Sequence, residues 1–250
     1  MKKILLIFAS LFLLVGNTFA LPFNVRPIDP LGTSSEPSLQ AIFDNILGDQ
    51  VIDVIDDQNP AALWTGAEVD TDAYAVSMFT SGAGTLGIYG ADGTKVTLLT
   101  MAPDGSPYDD GGIASPYNSA DFLILTSGIL VNGTAFGGDF STFGFYWNNS
   151  HTEDDKNTNG EAKALSYLIE DGTTVDLNAY DNFPDFNPTT ARGNNDWILA
   201  FEDWTDNDFQ DAIFYMEDMD AAPVPEPATM LLFGMGLLGL AGITRKRSKA

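Results

Sequence analysis

Leu86-Gly87-Ile88-Tyr89-Gly90-Ala91-Asp92-Gly93-Thr94-Lys95-Val96-Thr97-Leu98-Leu99-Thr100-Met101 decides the fold class of this chain. Two short apolar runs, Leu86–Tyr89 and Lys95–Met101, flank an Asp-Gly pair, and that pair accepts the positive φ a tight hairpin turn requires. Glu170-Asp171-Gly172-Thr173 repeats the device between Leu165–Ile169 and Thr173–Leu177. Working outward, Val51–Ile55, Tyr74–Phe79, Phe122–Leu130, Thr142–Trp147, Trp197–Phe201 and Ala212–Met216 read as further strands. No segment between them has the dozen helical residues a parallel crossover needs, and no 20–50-residue repeat recurs. The expectation is mainly β, an antiparallel β-sandwich of jelly-roll type. One short N-terminal helix is expected at its edge, capped by Ser34 or Ser35, with Pro37 in its first turn. Its apolar stripe is Leu39, Ile42, Phe43, Ile46 and Leu47, ended by Gly48.

The 250 residues carry a formal charge of −24, with 35 acidic and 11 basic side chains, one His and no Cys. Residues 21–224 contain Arg26, Lys95, Lys156, Lys163 and Arg192 as their only cations. So acidic a body repels a phosphate backbone, which excludes nucleic acid as a partner. A hydrophobic content of 44% is too high for an acidic disordered tail. The absence of Cys excludes disulfide modules, iron–sulfur proteins and thiol enzymes.

Both ends read as addresses. Lys2 and Lys3, the apolar run Ile4–Val15 and the small residues Thr18 and Ala20 have the order of a secretory signal peptide, residues 1–20, cut by signal peptidase after Ala20. At the other end Pro225-Glu226-Pro227 precedes the apolar stretch 228–243 and the basic residues Arg245, Lys246, Arg247 and Lys249. The stretch is short for the ~30 Å hydrocarbon core, so it would hold only marginally as a transmembrane sorting helix, its basic end on the cytoplasmic side. Residues 21–217 are left as one exported domain and 218–224 as a linker. This tripartite tail, residues 225–250, resembles the PEP-CTERM sorting signal of Gram-negative bacteria. The resemblance implies recognition by exosortase at the inner membrane, removal of the span, and release or transfer of the body to the surface or the exopolysaccharide matrix.

Phe201-Glu202-Asp203-Trp204-Thr205-Asp206-Asn207-Asp208-Phe209-Gln210-Asp211 is the densest polar segment. Five carboxylates, Glu202, Asp203, Asp206, Asp208 and Asp211, with no cation among them repel one another unless a metal or backbone N–H groups absorb the charge, and Ca²⁺ suits an all-oxygen set. Phe201-Glu202-Asp203, followed by Asp206 to Asp211 and the apolar Ala212-Ile213-Phe214-Tyr215, resembles the domain of unknown function numbered 4114 found in exported PEP-CTERM proteins; Leu86-Gly87-Ile88-Tyr89 resembles its Gly-Ile-Tyr strand. No activity comes with that likeness. Asp155-Lys156-Asn157-Thr158-Asn159-Gly160-Glu161 opens like an EF-hand loop, yet its twelfth position is Ser166 where Glu belongs, so it reads as an Asn-rich turn.

Catalytic signatures are sparse. His151 is the single histidine and reads as a solvated loop residue; no Gly-x-Ser-x-Gly elbow accompanies it, and a zinc hydrolase gathers more histidines. Gly82-Ala83-Gly84 is too short for a dinucleotide loop. The expected function is therefore a non-enzymatic, exported surface or extracellular-matrix protein of the biofilm type, with Ca²⁺ as a stabiliser. Two alternatives remain: a polysaccharide-binding module stacking sugars on the loop-bordering Trp147 and Trp204, and a secreted glycan hydrolase using paired carboxylates.

Overall fold

The computed structural model describes residues 25–28, 37–65, 70–79, 83–101, 119–177, 189–190, 195–203 and 206–223. The signal peptide and the tail from residue 224, with the proposed span, lie outside them. Among the described residues no helix is long and apolar enough to cross a membrane.

The first regular element among the described residues is α1 (Leu39–Leu47), whose five predicted stripe residues are all buried. Its cap is Ser38 rather than Ser34 or Ser35: the Ser38 Oγ accepts from the Ala41 N–H at 3.3 Å. Gly48, at φ +95°, ends it and donates its N–H to the Asp44 carbonyl. The strands in chain order are β1 (Trp64–Thr65), β2 (Asp70–Met78), β3 (Gly84–Gly90), β4 (Lys95–Met101), β5 (Ser119–Leu125), β6 (Gly128–Val131), β7 (Thr134–Gly137) and β8 (Phe143–Trp147). They continue as β9 (Ser150–His151), β10 (Ala164–Ile169), β11 (Thr174–Val175), β12 (Thr189–Thr190), β13 (Asp196–Phe201), β14 (Ala212–Met216) and β15 (Asp220–Ala221).

All pairings are antiparallel. A larger sheet runs β10-β13-β14-β2-β5-β6-β7; a smaller one runs β15-β1-β8-β3-β4 with β9 on β8; β11 and β12 form a separate ribbon. The expected mainly β, antiparallel architecture is present as a seven-stranded and a six-stranded sheet that share one core. One core cluster takes Trp64, Ile88, Phe145 and Trp147 from the smaller sheet and Phe122, Trp197, Phe201 and Phe214 from the larger. Edge-on rings knit it together, Trp64 meeting Phe145 at 5.3 Å and Trp197 at 5.7 Å between centroids.

A second cluster lies on the other face of the larger sheet, where α1 packs against β10, β13 and β14; Phe43 meets the Tyr167 ring at 4.8 Å. The helix thus covers a face instead of sitting at the sandwich edge. With both faces covered, every residue of β13 and β14 is buried, which is why these strands read as continuous apolar runs without alternation.

Several expected elements resolve differently. Val51–Ile55 is a turn, held because the Asp53 carboxylate accepts the Ile55 and Asp56 N–H groups. The run Phe122–Leu130 breaks at Thr126-Ser127 into β5 and β6, and Asn132-Gly133, at φ +48° and +76°, turns β6 into β7. The Glu170–Thr173 turn forms, but β10 pairs with β13 and β11 with β12, so the two flanking segments are not hairpin partners. Residues 218–222 are part of the body rather than a linker. The Asp218 N–H donates to Asp196 Oδ1 at 3.1 Å, Met219 is fully buried, and the Ala222 N–H donates to the Leu63 carbonyl at 2.9 Å.

Candidate functional site

The acidic turn is held between the ends of two central strands. β13 and β14 pair with Phe201 opposite Ala212, so Glu202 and Asp203 leave one strand where Asp211 enters the next. The Asp203 N–H donates to Asp211 Oδ2 at 2.6 Å and closes the base of the loop. Glu202 is fully buried; its Oε2 accepts from the Asp208 N–H at 3.1 Å and the Phe209 N–H at 3.4 Å, and its backbone is tied to Ser150 and Lys163. Asn207 and Phe209 both take positive φ, +62° and +55°, which swings the Phe209 ring into the α1-side core, where it is fully buried.

All five predicted carboxylates are brought together. Glu202, Asp206 and Asp208 offer oxygens within 4.8 Å of one another, as do Glu202, Asp203 and Asp211, so Glu202 joins two overlapping groups. Asp208 is buried and accepts from Gln210 Nε2 at 2.9 Å, whereas Asp203 and Asp206 are exposed. Burial, then the neighbouring Asp203, Glu202 and Asp208 charges, push the Asp211 carboxyl up to about 9, against the opposing pull of the Asp203 N–H. The donor set is oxygen throughout and mixes buried with exposed carboxylates, which fits a hard cation such as Ca²⁺ better than a soft metal.

The Asn-rich turn is confirmed in kind. Asp154–Lys156 and Thr158–Gly160 form two 3₁₀ turns around Asn157, whose amide bonds the backbone of His151 on both sides and the Glu161 carbonyl.

His151 is a correction. It is 8% exposed, because Asn148 at φ +53° turns β8 straight back into β9 and lays His151 opposite Tyr146. Its Nε2 lies 2.8 Å from the Lys95 Nζ. Lys95 carried no motif and was missed; the Asn148-Asn149 pair, tolerant of positive φ, is the sequence signal that would have found the hairpin. Trp147 is a second correction: it is fully buried on the inner side of β8, 5.5 Å from Phe214 between ring centroids, and presents no face to a sugar. Trp204 lies outside the described residues, as do Pro225, Glu226, Pro227, Arg245, Lys246 and Arg247.

Comparison with known proteins identifies the tail alone. The PEP-CTERM protein-sorting motif matches residues 223–247, and no curated protein matches the chain. The motif supports an exported, exosortase-targeted protein with a membrane-anchored sorting signal. Its matched residues begin after the last body hydrogen bond, so it lends no support to a likeness between the body and the domain numbered 4114.

Proposed function

We propose that this chain is the precursor of a non-enzymatic surface or exopolysaccharide-matrix protein, made with a signal peptide over residues 1–20. It is held briefly in the inner membrane of a Gram-negative cell by the span 228–243 and released or transferred when exosortase acts at Pro225-Glu226-Pro227. The observation that carries the reading is the sorting motif at residues 223–247, directly following a body that ends at Ala222. The body then acts as a folded, strongly acidic cargo, and Ca²⁺ held by Glu202, Asp203, Asp206, Asp208 and Asp211 stabilises it outside the cell.

Mass spectrometry of the protein recovered from its own host tests the sorting. A mature form starting at Leu21 and lacking residues 228–250 is expected; an intact tail, or protein confined to the cytoplasm, overturns the reading. The cation has its own test, since a ligand bound only by the folded state stabilises it by about 1.4 kcal/mol at tenfold excess over Kd. Melting in millimolar Ca²⁺ should exceed melting in EGTA, and replacing Asp206 and Asp208 with Asn should erase the difference. Equal melting curves remove Ca²⁺ from the proposal while leaving the sorting untouched.

The polysaccharide-binding alternative has lost one of its two stacking rings to the core in Trp147 and rests on Trp204 alone. A glycan array on the wild-type body and on Trp204→Ala decides it.

A further inference from the structure

Four cations stand among the described residues, and three of them are within ion-pair reach of a carboxylate: Arg26 with Asp154 at 2.9 Å, Lys156 with Glu153 at 3.2 Å, and Lys163 with Glu161 at 4.0 Å. Lys95 has no carboxylate partner among the described residues, although this body is crowded with acids. Its Nζ instead meets a neutral base, the His151 Nε2 at 2.8 Å, and lies 4.7 Å above the centre of the Tyr146 ring.

The floor beneath this pair is rigid. Tyr146 lies over Gly87 and Tyr89 over Gly144, each so close that a Cβ on the glycine would fall within 2.3 Å of the ring or its hydroxyl. Tyr89 is further fixed by hydrogen bonds with Thr152 Oγ1 and the Glu153 N–H, and Lys156 stands 5.3 Å from its ring. The charged and titratable groups facing Lys95 and His151 are thus Tyr89 on β3, Tyr146 on β8, and Glu153 and Lys156 at the first 3₁₀ turn, with the Glu153 charge already engaged by Lys156. Lys95 itself is exposed, at the first position of β4.

We propose that Lys95 is a nucleophilic amine with His151 as its proton acceptor, and that the electrophile it takes is an uncharged aldehyde carbonyl, the open-chain reducing end of a sugar. The exclusion of anionic electrophiles follows from the acidic body, which repels anionic carbonyl compounds at long range. The Nζ lone pair bonds to the carbonyl carbon while one Nζ proton passes to Nε2, and the imidazolium hands it to the carbonyl oxygen, which becomes a hydroxyl. The second Nζ proton follows the same route to that hydroxyl, which leaves as water as the C=N bond forms, so one amine and one aldehyde give one imine and one water, with no oxidant or reductant. Burial and Lys156 hold the amine below its ordinary pKa, and burial and Lys95 do the same for the imidazole, so both are poised toward their neutral forms.

The proposal depends on neither the tail nor the cation, and the chain supplies its own controls. Exported protein purified from its host is incubated with glyceraldehyde and cyanoborohydride at neutral pH, the hydride trapping the imine as a secondary amine. Peptides carrying Lys95, Lys156 and Lys163 are then followed by mass. Lys95 should label several-fold faster than the other two, because it alone stands against a base that can take its proton. His151→Gln should reduce the Lys95 rate to that of its neighbours without altering theirs. Equal rates at the three lysines in the wild-type protein overturn the proposal. So does an unchanged Lys95 rate in a His151→Gln variant whose Lys156 and Lys163 rates show it is folded.

Discussion

The acidic turn between β13 and β14 and the Lys95–His151 corner on the smaller sheet meet the same electrostatic problem with opposite signs. In the turn, like charges crowd a partly buried loop, and the structure answers with backbone N–H groups on Glu202 and a carboxyl at Asp211 driven to its protonated form. In the corner, Lys95 is set against an imidazole and a ring face, and no carboxylate among the described residues is ion-paired with it. The difference teaches where charge is structural. Glu202 organises the turn from inside the protein, whereas Lys95 sits on a surface already organised by tyrosines and glycines, so the first should matter for stability and the second for reactivity.

The largest expected effect tests that contrast from the acidic side. Glu202→Ala strips the acceptor from the Asp208 and Phe209 N–H groups, and leaving buried donors unmatched costs about 1–3 kcal/mol, read as a lower urea midpoint. In the corner the comparable injury is steric. Gly144→Ala drives a methyl into the ring and hydroxyl of Tyr89 and should cost about 1–3 kcal/mol by overpacking, read as a lower urea midpoint. If Gly144→Ala is neutral, the tyrosine floor is softer than its geometry implies.

Smaller effects concern pH, and the two regions pull in opposite directions. The folded-state pKa of Asp211 lies above its unfolded value, so its contribution is complete below the ordinary carboxylate pKa of 3.8 and is lost as pH rises toward about 9. Without added cation, stability should decline over that window, and Asp211→Asn should flatten the decline. The folded-state pKa of His151 lies below its ordinary 6.5, so its contribution is present above that value and is lost as pH falls beneath it; His151→Gln should blunt only this acid limb. Melting temperature against pH for the wild type and both variants separates the two, and parallel profiles would break the comparison. The smallest change belongs to Lys95→Met, expected within about 0.5 kcal/mol of wild type as for other exposed charges.

Legibility followed the range of the interactions. The Asp92-Gly93 hairpin, the stripe of α1 and the gathering of five carboxylates were readable, because a turn, a helix face and a short loop between paired strands are set by residues close in sequence. The split between β5 and β6 was missed because Thr126-Ser127, which makes the turn, lacks the Asp-Gly or Asn-Gly pair that marks the turns at Asp92-Gly93 and Asn132-Gly133. Trp147 was misplaced because bordering a loop says nothing about which face of its strand a residue occupies; only pairing with β3 and the stacking of the two sheets settles that.

What the sequence determined alone was composition and local chemistry: a formal charge of −24, the turns that make the sheets antiparallel, and a sorting motif read linearly, as its processing machinery must read it. What only the tertiary structure decided was which groups lose water. Burial of Glu202, His151 and Trp147 depends on strands distant in the chain closing over them, and desolvation, which sets both packing energy and proton affinity, is a property of that closure and of no single segment.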